Sequence, residues 1–194
     1  MPLLGDPGHS EMVASLEMLG ARLGRPEAVV VVSAHWEERV LTITAAEAPA
    51  LIYDYYGFPE ESYSITYPCR GEPSLAGELH RLIECLECEN VLLIGSGFSF
   101  HNLKAFFAPE IVELSQSNRE FEQWLGDTCC NPTYSAEQRR QKLIRWSDAP
   151  GARYCHPREE HLLPLHVCFG AAAGEPAEAI NLRVMNKESS MYVW

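Results

Sequence analysis

Val29-Val-Val-Val32 is the feature that most narrows what this chain can fold into. Four β-branched residues in a row favour extended backbone, and the lack of polar alternation predicts a strand covered on both faces. Strands of that kind belong to parallel or mixed sheets with helices on either side, so the run points to an α/β domain. The flanking text supports alternation of strands and helices. Glu11 to Leu23 sets Met12, Leu16, Leu19 and Leu23 at helical spacing, and Ser74 to Leu86 does the same with Leu75, Leu79, Leu82, Ile83 and Leu86. Leu41-Thr-Ile-Thr44 and Val91-Leu-Leu-Ile94 read as further strands, and Asn118 to Leu125 and Ala136 to Trp146 as helices. Ala50 to Pro73 is rich in Tyr, Pro and Gly and reads as structured loop. Leu162 to Ala173 reads as an apolar helix interrupted by Pro164, and the tail from Asn181 as one or two short strands. The expectation is one domain, 1–194, with helices on both sides of a mostly parallel or mixed central sheet in three α/β/α layers.

The charge balance narrows the partners. A formal net charge of -12 argues against a surface that neutralises nucleic-acid phosphates or anionic lipid. No apolar run approaches the ~20 residues a membrane span requires. Met1 to His9 has neither a basic start nor an apolar core, so export is not expected and reduced thiols in the cytoplasm are the simpler expectation. Cys85-x-x-Cys88 would need a second pair to build a structural zinc site, and the adjacent Cys129-Cys130 does not provide one at useful spacing.

Two segments share a grammar. Val29-Val-Val-Val-Ser-Ala-His35 runs from an apolar strand through small residues to an imidazole, and Val91-Leu-Leu-Ile-Gly-Ser-Gly-Phe-Ser-Phe-His101 repeats the plan with a longer loop. Ligands of open α/β sheets sit beyond the carboxyl ends of the strands, which is where both histidines would emerge. One such histidine is ordinarily a packed residue; two built alike point to a site. A third element is Cys155-His-Pro-Arg-Glu-Glu-His161-Leu-Leu-Pro, whose Pro157, Glu159 and Glu160 suit the first turn of a helix with His161 projecting from it. Neutral imidazoles from separate elements are what Zn(II) and Fe(II) sites use, although no two of these histidines form a compact motif.

Ser33-Ala-His-Trp-Glu37, Ile52-Tyr-Asp-Tyr-Tyr-Gly-Phe-Pro59, Gly95-Ser-Gly97, His101-Asn-Leu103 and His156-Pro-Arg-Glu-Glu-His-Leu-Leu-Pro-Leu165 together resemble, in order, the signature segments of one family. It is the class III (LigB-like) extradiol ring-cleavage dioxygenases, in the branch resembling DOPA 4,5-dioxygenase. The resemblance implies a three-layer α/β/α fold and a mononuclear non-haem metal, Fe(II) for activity with Zn(II) as an alternative occupant. It implies a catechol and O2 as substrates. Carried over by position, His35 and His161 match metal ligands. His101 matches a histidine described either as a ligand or as the acid/base that handles the catechol proton, a role its ordinary pKa suits. His156 and Glu160 match positions that would orient His161, and Trp36, Tyr53, Tyr55 and Phe58 would line an aromatic pocket. His166 and His80 are expected to be structural and solvated respectively.

The chain departs from the family pattern in two places. The segment that supplies the family's first ligand has no counterpart, since Pro2 to His9 resembles the stretch just after that segment, and His9 is a poor substitute. The family's Asp-His-Gly loop is also missing, because Glu84-Cys-Leu-Glu-Cys-Glu-Asn90 nearly fuses the helix before it to the strand after it. Loss of sheet strands would bare strand edges and favour pairing between copies, as a homo-oligomer or with a longer copy. The alternative to an active enzyme is therefore an impaired short form that binds zinc or pairs with a full-length copy. A metal-dependent hydrolase ranks lower, because no carboxylate-rich ligand set for two metals is present.

Overall fold

The computed structural model describes residues 5–40, 42–81, 91–108 and 112–194. The chain divides into two compact units, Met1–Ala34 with Asn90–Trp194, and His35–Glu89.

In the first unit, helix α1 (Ser10–Leu23) leads to strand β1 (Ala28–Ser33), which pairs in parallel with β2 (Val91–Ser96). Val30 lies opposite Leu93 and Ser33 opposite Ser96, so the chain leaves both strands at one edge of the sheet. The valine run is a strand, as expected, but it is not covered on both faces. Val29 and Val31 are 50% and 55% exposed while Val30 and Val32 are partly buried. A strand alternates its side chains, so one row faces out wherever no layer is packed upon it. Helix α7 (Leu163–Ala171) covers β2 closely: a Cβ on Gly95 would meet Cys168 Sγ and the Pro164 carbonyl oxygen at 2.9 Å.

Between β2 and α7 run α3 (Leu103–Phe106), α4 (Val112–Cys130), α5 (Ala136–Ile144) and α6 (Ala152–Cys155). Helix α4 is longer than the expected Asn118–Leu125 and forms the spine of the core. Phe121, Leu125 and Cys129 on it are fully buried with Phe100, Leu143, Trp146 and Leu162. Helix α5 begins with a capping box in which Ser135 and Gln138 satisfy each other's backbone N–H groups, and it stops at Ile144. Trp146 therefore sits in a short 3-10 turn, not in the helix. Pro164 lies at the start of α7 and opens that helix instead of interrupting it, because the first turn does not need its missing N–H. The tail folds as an antiparallel hairpin, β3 (Glu178–Val184) and β4 (Lys187–Val193). Its two-residue connection holds Met185 and Asn186 at φ 48° and 66°, the turn that matches strand twist.

The second unit holds a 3-10 turn, Glu60–Ser64, helix α2 (Pro73–Arg81) and otherwise irregular chain. The structured loop expected from Ala50 to Pro73 is present. Thr42–Thr44 is not a strand, and among the described residues no ladder partner is offered to it. The unit's aromatic residues pack edge to face, with Tyr55 5.3 Å from Phe58 and 6.0 Å from Tyr53. Leu41, Leu82, Ile83, the Cys85-x-x-Cys88 pair and the His80 side chain lie outside the described residues. No helix among the described residues is long and apolar enough to cross a membrane.

Leu125 is fully buried at the centre of α4, so Leu125→Ala is expected to destabilise the protein by about 2–5 kcal/mol through lost burial and an unfilled cavity, measured by urea unfolding. A loss below about 1 kcal/mol would contradict this placement of the core.

Candidate metal centre

The site is assembled where the end of β2 meets the segment before α7. Phe98 N–H donates to the His161 carbonyl oxygen at 2.8 Å, and His101 N–H donates to the Cys155 carbonyl at 2.9 Å. These two bonds lash the Gly97–His101 loop to residues 155–161. Approach this close leaves no space for a side chain at Gly97, where a Cβ would fall on the His161 carbonyl oxygen and press on Pro164. The Gly95-Ser-Gly97 motif is thus a packing requirement between two backbones. Asn102 completes the junction: its Oδ1 caps α3 by accepting from Ala105 N–H, and its Nδ2 donates to the Tyr154 carbonyl at 2.8 Å. Buried neighbours hold each imidazole, with Phe100 before His101 and Leu162 after His161 both in the core.

The outcome is that His101, Glu160 and His161 each present a ligand atom, all within 4.8 Å of one another. The two imidazoles stack, with ring centroids 3.4 Å apart and planes inclined by 19°. His161 is 9% exposed. Two imidazoles and one carboxylate are the donor set that non-haem Fe(II) oxygenases use, and the same set accepts Zn(II), so the residues fit a single divalent metal. Arg158 Nε lies 3.3 Å from Glu160 Oε2 and steadies the carboxylate.

Several expected positions need correction. His161 is not on the first turn of a helix. It sits in the turn before α7, where Leu162 N–H and Leu163 N–H both return to the Glu159 carbonyl. Glu160 was expected to orient His161, whereas its carboxylate stands among the ligand atoms themselves. His156 is fully buried, and its Nε2–H donates to the Ser99 carbonyl at 2.7 Å, so its partner is the His101 loop. Burial depresses the His156 pKa to about 4. His166 bridges the Leu162 and Leu143 carbonyls and is structural, as expected. His9 lies beside Asp6, with Nδ1 3.3 Å from Oδ2.

His35 belongs to the other unit. Its Nδ1–H donates to Asp54 Oδ2 at 2.8 Å, which fixes the tautomer that presents Nε2. Asp54, inside the Tyr53-Asp-Tyr55 segment, was not singled out from the sequence; a carboxylate between two tyrosines gives no local sign of its partner. Trp36 and Phe58 are 41% and 45% exposed, Tyr53 is 37% exposed, and Tyr55 is partly buried with its hydroxyl donating to the Ser62 carbonyl. A second residue escaped the sequence: Glu122 on α4, buried behind the His101 loop, with Ser190 Oγ–H donating to Oε2 at 2.8 Å. Burial raises its carboxyl to about 7, against the pull of the Ser99 and Ser190 hydroxyls.

Comparison with known proteins bears directly on this site. No family model matches the chain. The dioxygenase tasH of Hapsidospora irregularis is 30% identical, with 90% of this chain and 75% of that protein matched. The chain belongs to the extradiol dioxygenase family. By family it is an oxidoreductase. The 4,5-DOPA dioxygenase extradiol of Escherichia coli (strain K12) is 25% identical over 87% of this chain and 83% of its own length, and that of Mirabilis jalapa 25% over 78% and 75%. A crystal structure of an uncharacterized Escherichia coli K12 protein superposes with a TM-score of 0.65, covering 92% of this chain and 89% of that one at 23% identity, which supports the α/β fold. The match to tasH extends over 250 positions against a chain of 194 residues, so at least 56 positions of that span have no residue here.

The buried pair Glu122 and His156 makes a pH prediction. Glu122 holds its proton to about 7 in the fold but only to an ordinary 4.5 when unfolded, so its contribution to stability falls as pH rises across that window. His156 is neutral down to about 4 in the fold against an ordinary 6.5, so its contribution rises with pH up to 6.5. The two slopes oppose each other in wild type. Glu122→Gln leaves the His156 slope alone, and stability should then climb by roughly 3 kcal/mol from pH 4 to 6.5 in urea titrations. Parallel wild-type and variant curves would refute the assignment.

Proposed function

We propose that this chain is a non-haem, metal-dependent extradiol dioxygenase that opens catechols, DOPA-like ones among them, with O2. The observation that carries the reading is the convergence of His101, Glu160 and His161 on one point in a chain of this family. In this reading the metal is Fe(II), with Zn(II) as an alternative occupant, and its holders in the first unit are His161, Glu160 and, in its ligand role, His101; for His35 the ligand role rests on the family resemblance alone. When bound, the metal supplies the redox chemistry that joins a catechol to O2. Asp54 keeps His35 in the tautomer that offers Nε2, and in this reading the His101 imidazole, stacked on His161, takes up or returns a hydroxyl proton. Tyr53, Tyr55, Phe58 and Trp36 supply ring faces of the kind an aromatic substrate packs against. The three-layer arrangement of the family and a cytoplasmic setting belong to the same proposal.

A second reading is favoured by a specific observation. At least 56 family positions are missing, and Val29 and Val31 stand exposed on β1. A chain so shortened would bind zinc without turnover, or pair with another copy through that face.

Metal content and product formation on one preparation separate these. Anaerobic loading with Fe(II), then DOPA and air, is expected to give about one iron per chain and a yellow ring-opened product. His161→Ala and Glu160→Gln should lower the iron content. His101→Ala should slow turnover by about 10²–10⁴ with iron retained if it handles the proton, and should lose iron as well if it is a ligand. Full iron without product would remove the activity claim and leave the second reading.

A further inference from the structure

We infer that Glu122 is a positioning residue for the His101 loop, acting through Ser190 and Ser99; the inference rests on the metal-centre reading above. Glu122 is 7% exposed on α4, yet its hydrogen-bonding partner is a single hydroxyl. Ser190 Oγ–H donates to its Oε2, and Oε1 is buried without a hydrogen-bond partner among the described residues. A carboxyl in that setting is expensive to bury, and an apolar residue of similar volume would serve packing better.

Its surroundings show what the carboxyl holds. Ser99 lies two positions before His101 and is held from two sides. Ser190 on β4, whose hydroxyl donates to Glu122 on α4, donates its N–H to the Ser99 Oγ at 2.9 Å, and His156 Nε2–H donates to the Ser99 carbonyl at 2.7 Å. Beyond Ser99 the chain passes through the buried Phe100 and delivers the His101 imidazole to the cluster. Ser190 is itself tied back, within 3.1 Å of Asn181 Oδ1 on β3. Glu122 thus joins the hairpin and α4 to the stretch of loop that fixes His101. Groups at this remove from a metal commonly change affinity by about 10–100-fold when deleted, because they set the orientation of its ligands.

The test uses the full chain and Co(II) as the probe, titrated by its visible absorption, with thermal unfolding of the metal-free protein as the parallel readout. Glu122→Ala is expected to weaken Co(II) binding by about tenfold or more, and Glu122→Gln, which keeps the acceptor for Ser190, to stay within about twofold of wild type. Leu125→Ala, one turn further along α4 and in the apolar core, should lower the melting temperature with no change in Co(II) affinity. Ser99→Ala should reproduce the loss, and the double variant with Glu122→Ala should lose no more than the larger single, because the two act in series. Should Glu122→Ala not fold, Ser99→Ala carries the same test. Unchanged affinity in these variants overturns the inference, as do losses that multiply in the double variant. A wild-type chain that takes up no Co(II) overturns the metal-centre reading and this inference with it.

Discussion

The bond from Phe98 N–H to the His161 carbonyl is the constraint on which the rest of the site depends. It brings the loop after β2 against the turn before α7 at a separation that admits no Cβ on Gly97. Once the two backbones touch there, the residues three further along the loop and on the turn itself must face each other, and those are His101 and His161. Their stacked rings are therefore a consequence of backbone geometry set several residues away. The Cys155 carbonyl accepting from His101 N–H closes the far end of the same joint, so neither imidazole can drift along its segment. Side chains placed this way are ordered by the fold itself, so the cost of ordering them is met in folding.

The joint is held from behind by two layers of different chemistry. One is apolar: Phe100 packs edge to face on Phe106 and Tyr154, at 5.1 and 5.7 Å, and Leu162 enters the core beside the other imidazole. The other is polar: Ser99, Glu122, Ser190 and His156 form a connected set in which hydroxyls and one imidazole satisfy most of what is buried. Apolar packing resists displacement but tolerates rotation, whereas directed hydrogen bonds fix angles. A ligand that must point within a few degrees benefits from both.

How much the sequence disclosed depends on how local each signal is. The valine run, the apolar periodicity of α1 and the His101-Asn-Leu segment are patterns within a few residues of each other, and each marked a real element. The same locality explains the misses. Val29 and Val31 look like core residues because hydrophobicity reports what a face would prefer, not whether a layer covers it. Pro157 with two glutamates imitates a helix start, and only the return of Leu162 and Leu163 N–H groups to Glu159 shows a turn instead. Glu122 follows a stretch of polar residues, Ser115 to Glu120, and reads as part of a solvated face, since its partner is on β4. Asp54 was passed over for the same reason. Residues whose meaning lies in a distant partner carry no local mark.

Family membership and catalytic competence separate on physical grounds. The three convergent donors ride on the loop after β2 and the turn before α7, all within one unit and all secured by α4 and the hairpin. None of that support comes from the breadth of the parallel sheet, which among the described residues has only two strands. The sheet is narrow among the described residues and Val29 and Val31 stand exposed on it, yet the three donor atoms lie within 4.8 Å of one another. Enclosure governs turnover more than it governs metal affinity, because affinity is set by the donors and the groups that aim them. On the reading proposed above, the chemistry that His101, Glu160 and His161 would support rests on the joint between the loop after β2 and the turn before α7.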